Sequence, residues 1–319
     1  MNTGDVIRKK IKASFHQTGL YHKIDRFRWR ERSVCRGKNY PDEHFYVIRR
    51  HASRAGLFSF VMTNLGSIRE AIDRGMVPII DMESSINPLI LPEEVSRVNG
   101  WERYFLQPCG FSLSDVSQAR HITLSDIRPP ACYPDAAQLR DPEMLRKWRK
   151  LFHQYIHVKP ELLQQAESYI AEQFPGKKVL GVLARGTDYR ASKPHAHEIQ
   201  PDAELLIRDA GRMMRDKGYG LIYLATEDGE IWDAFQAAFP GKCLSFQKDH
   251  FTVKEGEWIN DLANDAVGTM TVNREYLISI VILSRCQGFL GGAANGSFGA
   301  LLMSDGYEDQ VLYDLGVYP

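Results

Sequence analysis

A chain of 319 residues is long for one hydrophobic core, and it predicts two domains of ordinary size. The content of 44% hydrophobic and 25% charged residues is typical of a folded globular protein and excludes a disordered chain. Because 40 basic residues balance 40 acidic ones, no global field attracts nucleic acid or an anionic membrane, and any anion site must be local.

The N-terminal segment MNTGDVIRKKIKASFHQTG is basic but lacks the apolar run of a secretory signal. No stretch approaches the roughly 18 apolar residues of a membrane-spanning helix. We therefore expect a cytoplasmic protein, with a weak peripheral contact at the inner face of the membrane as an alternative for the basic start. Five cysteines without a CxxC pair predict reduced, mostly buried thiols.

In the N-terminal half, the strand-like HFYVIRR at 44–50, the helical pattern at 57–75 and the strand-like MVPIIDM at 76–82 predict a β-α-β unit. Further along, aromatic side chains spaced by three and four positions favour core packing over sugar stacking, namely Trp101, Tyr104 and Phe105.

The segment 142–174 predicts one or two helices, and the Lys-Pro pair at its centre would break a helix near Pro160. We place the domain boundary there. The chain then divides into an N-terminal α/β domain at 1–160, the expected acceptor side, and a C-terminal nucleotide-binding domain at 161–319.

The C-terminal half alternates short apolar runs with amphipathic stretches, beginning with KVLGVLA, DAELLIRDAGRMMRDKG and GLIYLA. This alternation predicts a parallel sheet covered by helices on both faces. Ligands of such sheets bind at the carboxyl ends of the strands, which directs attention to the loops after residues 184, 225 and 292.

In the first of these loops, Arg185 follows the strand directly and Gly186 allows a tight turn. A guanidinium at this position would bind a phosphate through two hydrogen bonds, and its charge is permanent. The alternative is an arginine that only pairs with Asp188 to close the turn.

The third loop, FLGGAANGSFGALLMS, places Gly292 and Gly296 between a strand and an apolar helix. The first N–H groups of that helix, with the side chains of Asn295 and Ser297, could bind phosphate oxygens. The alternative is a tightly packed turn in which one of these side chains caps the helix. Neither a Walker A nor a GxGxxG motif is present.

The second loop, YLATEDGEIW, brings Thr226, Glu227 and Asp228 to the end of a strand, where Thr226 or Asp228 could simply cap the next helix. Three polar loops at one edge of one sheet nevertheless favour a ligand site over three unrelated caps.

These blocks resemble a known group of enzymes. GVLARGTDY with HEIQPD, YLATEDGE and ILSRCQGFLGGAANGSFGALLM are similar to three blocks of the fucosyltransferase superfamily, which contains bacterial nodulation fucosyltransferase, core α-1,6-fucosyltransferase and the protein O-fucosyltransferases. The similarity extends more weakly to AGLFSFVMTNLGSIREAIDRGMVPIIDM in the N-terminal half, and the chain resembles bacterial polysaccharide-type members.

The resemblance implies a GT-B-like fold, in which two Rossmann-like α/β domains face each other across a cleft. It also implies an inverting glycosyltransferase that moves fucose from GDP-fucose to a glycan or lipo-oligosaccharide acceptor, with no cofactor and no metal. The chain contains no DxD triplet, which fits the metal-free expectation. A fixed arginine must then stabilise the leaving GDP.

By this resemblance, Arg185 is the essential arginine of the superfamily and Asp188 completes the pattern that follows it. Residues expected to bind the donor come from all three loops and the helix before the third: Arg185, Gly186, Thr187, Thr226, Glu227, Asp228, Glu275, Gly292, Asn295, Gly296 and Ser297. Residues expected to line the cleft or the acceptor side are Gly56, Phe58, Ser59, His195 and His197. For Phe58, burial in the core is the favoured alternative.

The sequence also departs from the superfamily pattern. Leu183 replaces a histidine of the core fucosyltransferases, and Lys193 replaces a glutamate suggested as the base. The acidic residue expected to bind guanine falls at Ser279, so Glu275, one helical turn earlier, is its substitute.

The general base, which takes the proton of the acceptor hydroxyl, is expected to be Glu198 or Asp188. His195 and His197 are expected to be hydrogen-bonding groups and not zinc ligands, because no third ligand lies near them. Two alternative functions stay open: a GT-B transferase that uses another nucleotide sugar, and a non-catalytic nucleotide or sugar binder of the same fold.

Overall fold

The computed structural model describes residues 29–52, 55–85, 87–185, 195–246 and 266–319. They form an α/β protein with two sheets. The first sheet has the strand order β1-β4-β2-β3, where β1 is Arg32–Val34, β2 is Asn39–Arg49, β3 is Val77–Asp81 and β4 is Ala119–Leu124. β2 runs parallel to both β3 and β4, while β1 is antiparallel to β4.

Helix α1, Leu57–Asp73, connects β2 to β3, so the predicted β-α-β unit is confirmed. Nearly every residue of α1 up to Ile68 is buried, because the helix is covered by the sheet on one side and by the second half of the chain on the other. Short 3₁₀ helices at Pro92–Glu94 and Gly100–Arg103 follow β3. In the second of them, Trp101 stacks on Phe105 with ring centroids 4.3 Å apart, and both side chains are fully buried, as predicted.

Helices α2, Leu113–Val116, and α3, Ala136–Arg140, lead to two longer helices, α4, Pro142–Tyr155, and α5, Pro160–Gln173. The predicted helical segment at 142–174 is therefore two helices. The second begins at Pro160, whose missing N–H costs nothing in the first turn of a helix.

The second sheet has the order β7-β6-β5-β8-β9, and every neighbouring pair in it is parallel. Its strands are β5, Val179–Leu183; β6, Leu221–Ala225; β7, Cys243–Leu244; β8, Gly288–Gly291; and β9, Asp309–Leu312. The parallel sheet predicted from the apolar runs is thus confirmed. The helices of this half are α6, Ala203–Lys217; α7, Gly229–Ala238; α8, Ala266–Ser284; and α9, Asn295–Met303.

The two halves pack through α9, which contacts α1, α4 and α8. At its centre, Gly299 leaves room for the ring of Phe58, since a Cβ at Gly299 would collide with that ring. Phe58 also meets Tyr276 of α8 edge-on, with ring centroids 5.6 Å apart. One hydrophobic cluster consequently runs through both halves.

The burial of the cysteines and the character of the helices test two expectations from the sequence. Cys35 and Cys132 are exposed and only Cys243 and Cys286 are buried, so the prediction of mostly buried thiols was wrong. Cys35 follows a short edge strand and Cys132 lies in a proline-rich loop, and edge strands and loops lie at the protein surface. Within the described ranges, no helix combines the length and apolar character needed to cross a bilayer.

Candidate functional site

The candidate site lies at the carboxyl edge of the second sheet. β6, β5 and β8 are neighbours and run in the same direction, so the loops after residues 183, 225 and 291 leave the sheet side by side. Beyond the ends of β5 and β6, the Ala184 amide donates to the Ala225 carbonyl over 3.1 Å. This edge is where a parallel sheet binds ligands.

Arg185 lies two residues beyond the end of β5 and is partly buried. The fully buried strand beneath it fixes its backbone at the edge of the sheet. Gly186, Thr187 and Asp188, which were predicted to act with Arg185, lie outside the described residues, as does Lys193.

A buried hydrogen bond within the glycine-rich turn between β8 and α9 stabilises that turn. Ser297 is fully buried, and its hydroxyl donates to the Gly292 carbonyl over 2.6 Å. Ser297 therefore braces the turn. Ala294 precedes α9 in an extended conformation, and no side chain caps the helix. The partly exposed Asn295 is the polar side chain at the helix start. The first N–H groups of α9 are thus without the side-chain acceptor that a cap would supply, which is the arrangement that binds anions.

Neighbouring side chains fit closely around this turn. A Cβ at Gly292 would collide with the Gln200 amide oxygen and lie 2.6 Å from Pro201 Cδ. The Gln200 amide nitrogen donates to the Ala293 carbonyl over 2.9 Å, which ties the segment before α6 to the turn. A Cβ at Gly296 would collide with the Tyr276 hydroxyl. Only glycine fits at these two positions without a shift of the neighbours.

Gln200 and Tyr276 were not among the predicted site residues. A signal for Gln200 was present in the sequence, because it lies within the HEIQPD block that follows the arginine loop. Nothing local to Tyr276 indicates that its hydroxyl faces a glycine 20 residues later in the chain.

The second loop has the geometry of a helix cap. Asp228 is buried and accepts hydrogen bonds from the amides of Glu230 and Ile231 over 2.9 and 3.1 Å. The Thr226 hydroxyl accepts from the Asp228 amide over 3.2 Å. Glu227, between them, is partly exposed at the same edge. The helix cap that the sequence left as an alternative is present, and Glu227 is the partly exposed acidic side chain between the end of β6 and the start of α7.

Ser279 and Glu275, the two positions considered for guanine binding, both lie on α8 but differ in exposure. Ser279 is fully buried and shares a 2.8 Å hydrogen bond with the Tyr223 hydroxyl of β6. Burial raises the pKa of Tyr223 well above its usual value, so this pair is neutral. Glu275, one turn earlier on α8, is partly exposed.

The segment at 195–200 is held against the C-terminal residues. The Ile199 amide donates to the Gly316 carbonyl over 2.9 Å, and the Tyr318 amide donates to the His197 carbonyl over the same distance. The Glu198 carboxylate forms an ion pair with Arg140 of α3 at 3.4 Å. His195 and His197 are exposed on the outer side of this segment. The ion pair from the N-terminal half was not predicted.

In the N-terminal half, the start of α1 faces the second half. Gly56 is exposed, Ser59 is partly buried and Phe58 is buried in the contact with α8 and α9. No side chain caps α1 and its first turn has no acidic residue. Among the residues described, no cluster of three His, Cys, Asp or Glu side chains could hold a metal ion.

No protein-family model matches this chain, and no curated protein sequence matches it. Among solved structures, NodZ α-1,6-fucosyltransferase co-crystallised with GDP matches with a TM-score of 0.51 and 16% identity, covering 82% of this chain and 93% of that one. The selenomethionine form of fucosyltransferase NodZ from Bradyrhizobium matches with a TM-score of 0.50 and 15% identity, covering 86% and 95%. POFUT1 in complex with GDP matches with a TM-score of 0.49 and 8% identity, covering 85% and 98%. The two NodZ matches show that the chain has the mixed α/β fold of those structures.

Proposed function

We propose that this chain is an inverting, metal-independent glycosyltransferase that transfers fucose from GDP-fucose to a glycan or lipo-oligosaccharide acceptor. The observation that carries the proposal is the position of Arg185 at the same sheet edge as the uncapped start of α9. An arginine and a helix N-terminus together suit a diphosphate. NodZ, which shares the fold, was co-crystallised with GDP.

The two sheets are proposed to belong to the two domains of a GT-B arrangement, with the acceptor domain at 1–160 and the donor domain at 161–319. In this arrangement the donor lies at the carboxyl edge of the second sheet, and the start of α1, with Gly56, Phe58 and Ser59, faces it from the other side. The contact of Phe58 with Tyr276 supports this placement of α1.

In the transfer step, the bond between the fucose anomeric carbon and the β-phosphate oxygen breaks, and negative charge develops on GDP. Arg185 and the first amides of α9 stabilise that charge and so take the role that a divalent cation has in metal-dependent transferases. Gly186, Thr187, Gly292, Asn295 and Gly296 shape the diphosphate site, and Ser297 holds its turn in place.

Nucleotide binding is assigned to Thr226, Glu227, Asp228 and Glu275. Guanine presents N1–H and N2–H donors, and the Glu275 carboxylate on α8 is the proposed acceptor for both. Because Thr226 and Asp228 are engaged in the cap of α7, we assign direct contact with the nucleotide in this loop to Glu227.

For the general base, Asp188 and Glu198 are the two proposals. A base must take the proton of the acceptor hydroxyl as that oxygen attacks the sugar. Glu198 is engaged by Arg140, so it would have to release that ion pair on accepting the proton. His195 and His197 lie beside it and are placed on the acceptor side.

The donor assignment is tested by titration calorimetry with GDP, UDP, CMP and ADP, and by hydrolysis of the matching nucleotide sugars. We expect GDP to bind and GDP-fucose to be hydrolysed slowly without acceptor. Preference for another nucleotide would support the alternative GT-B transferase. Binding of GDP with GDP-fucose left intact in the presence of every acceptor would support the non-catalytic binder.

The protein is proposed to act in the cytoplasm, with a weak peripheral contact of its basic N-terminal segment at the inner face of the membrane as the alternative. The basic residues at the start of the chain support this contact, since they would be attracted to anionic headgroups.

A further inference from the structure

Two adjacent arginines lie at the carboxyl end of β2, an inner strand of the first sheet: Arg49 is its last residue and Arg50 follows it. Their guanidinium groups differ in hydrogen bonding. The guanidinium of Arg49 is satisfied by backbone oxygens: it donates to the Ser125 carbonyl and, over 3.4 Å each, to the carbonyls of Trp29 and Arg30. Its role is to hold the strand ends together.

Arg50 is partly buried at the carboxyl edge of the sheet, and its Nη1 is buried with no hydrogen-bond partner in the described part of the chain. Its guanidinium carbon lies over the Phe60 ring, 6.0 Å from the centroid. Its backbone carbonyl accepts from the Ser85 hydroxyl over 3.0 Å, so the residue is fixed in place. A buried guanidinium N–H without an acceptor costs free energy, which an anionic ligand would recover.

The surroundings of Arg50 also suit a sugar. Tyr133 has 36% of its surface exposed. Tyr133 packs against α1, the helix that carries Phe60, since a Cβ at Gly66 would lie 2.7 Å from Tyr133 Cβ. Burial lowers the pKa of Arg50, and Tyr133 has the smaller, opposite effect on that pKa. An exposed aromatic ring beside a cation can contact the apolar face of a sugar while the cation binds its acidic group.

Arg50 lies on the acceptor side of the proposed cleft. Phe60, under the Arg50 guanidinium, is in the first turn of α1, two residues after Phe58, which touches Tyr276 of the second half. Arg50 therefore lies near the contact between the halves, on the sheet opposite the one that carries Arg185.

We propose that Arg50 binds a carboxylate or phosphate group of the acceptor, so that the substrate class is an anionic glycan, with Tyr133 against the sugar ring. The inference rests on the proposed function. The same anion chemistry could be supplied by the donor diphosphate, and the experiment below separates the two sources.

The test uses the full chain with GDP at saturation, so that the diphosphate position is filled. Glucuronate, inorganic phosphate and neutral glucose are titrated while the side-chain ¹⁵N signals of the arginines are followed, with the Arg50 signal assigned by its loss in Arg50→Gln. We expect both anions to shift the Arg50 signal and glucose to leave it unchanged. Arg50→Gln should weaken glucuronate binding about tenfold or more, since a charge-assisted pair is lost.

Arg120→Gln is the matched control, because Arg120 is exposed on β4 of the same sheet, near the opposite edge, and it should bind glucuronate as the wild type does. Arg50→Lys keeps the charge and should retain part of the affinity. The melting temperature of Arg50→Gln should be close to that of the wild type, whereas a purely structural arginine would lower it.

Three results would overturn the inference. The first is that neither anion shifts the Arg50 signal, and the second is that Arg50→Gln binds glucuronate as well as the wild type. The third is that the anions bind only without GDP, which would assign Arg50 to the donor diphosphate. Failure of the proposed function is distinguishable, because either GDP would not bind in the calorimeter or GDP-fucose would stay intact with every acceptor, and neither result depends on Arg50.

Discussion

Replacing Gly296 by alanine should disturb the start of α9 without removing any polar group. The added methyl would collide with the Tyr276 hydroxyl, and it would lie 3.0 Å from Tyr276 Cζ and 3.1 Å from Leu183 Cδ1. Overpacking of a close-packed site costs about 1 to 3 kcal/mol, and the helix preference of alanine over glycine returns about 0.5 to 1 kcal/mol. We expect Gly296→Ala to lower the free energy of unfolding by about 1 to 2 kcal/mol.

The same change should weaken GDP binding, because displacing α9 moves the amides proposed to bind the diphosphate. Loss of one hydrogen bond to a charged group corresponds to about a tenfold or larger rise in Kd. Adding Tyr276→Phe removes the colliding oxygen and leaves only the tight carbon contacts. The double variant should therefore recover about 1 kcal/mol and part of the GDP affinity relative to the sum of the single changes.

Urea denaturation and GDP calorimetry on the four proteins of this cycle measure both effects. Gly211→Ala is the control: its methyl would meet the nearest atom at 3.6 Å within α6, so it should raise stability by about 0.5 to 1 kcal/mol. The reasoning is refuted if Gly296→Ala is as stable as the wild type and binds GDP equally well, or if the two changes are additive.

Three further predictions concern the metal, the contact between the halves and the brace of the turn. Fucosyl transfer should survive EDTA, and complete loss that magnesium or manganese restores would contradict the proposed role of Arg185. Phe58→Ala should cost about 3 to 5 kcal/mol of unfolding free energy. Gly299→Ala should cost less in that background than in the wild type, because the methyl then enters the space left by the ring; equal costs in denaturation experiments would contradict the contact. Ser297→Ala should cost about 1 to 3 kcal/mol, measured in the same way, since the Gly292 carbonyl loses a buried donor; an unchanged midpoint would exclude the brace.

The order of strands and helices in the second half was readable from the sequence because it depends on local patterns. Continuous apolar runs such as Val179–Leu183 are buried on both faces, and the helices between them end at signals such as Gly218, whose φ is 73°. The placement of Arg185 and the glycine-rich turn at one edge follows from parallel strands alone.

Contacts between distant parts of the chain could not be predicted from such local patterns. The pairing of Glu198 with Arg140 and the fit of Tyr276 against Gly296 depend on how the halves pack, and no local periodicity encodes them. The buried Arg50 Nη1, which has no hydrogen-bond partner among the described residues, is of the same kind. In the sequence Arg50 is the second of two arginines at a strand end, and only the packing distinguishes it from Arg49, whose guanidinium donates to backbone carbonyls.

The central claim is that Arg185 stabilises the charge on the leaving diphosphate, and turnover of Arg185 variants tests it most directly. Loss of a charge-stabilising donor costs about 2.7 to 4 kcal/mol in the transition state, so Arg185→Ala should lower turnover of GDP-fucose roughly a hundred- to a thousandfold. Arg185→Lys keeps the charge but loses the bidentate hydrogen bonding of the guanidinium, so its turnover should lie between those of the wild type and Arg185→Ala. Melting temperatures should change little, and Arg120→Ala should match the wild type in both measurements. A folded Arg185→Ala protein with undiminished turnover would contradict the claim.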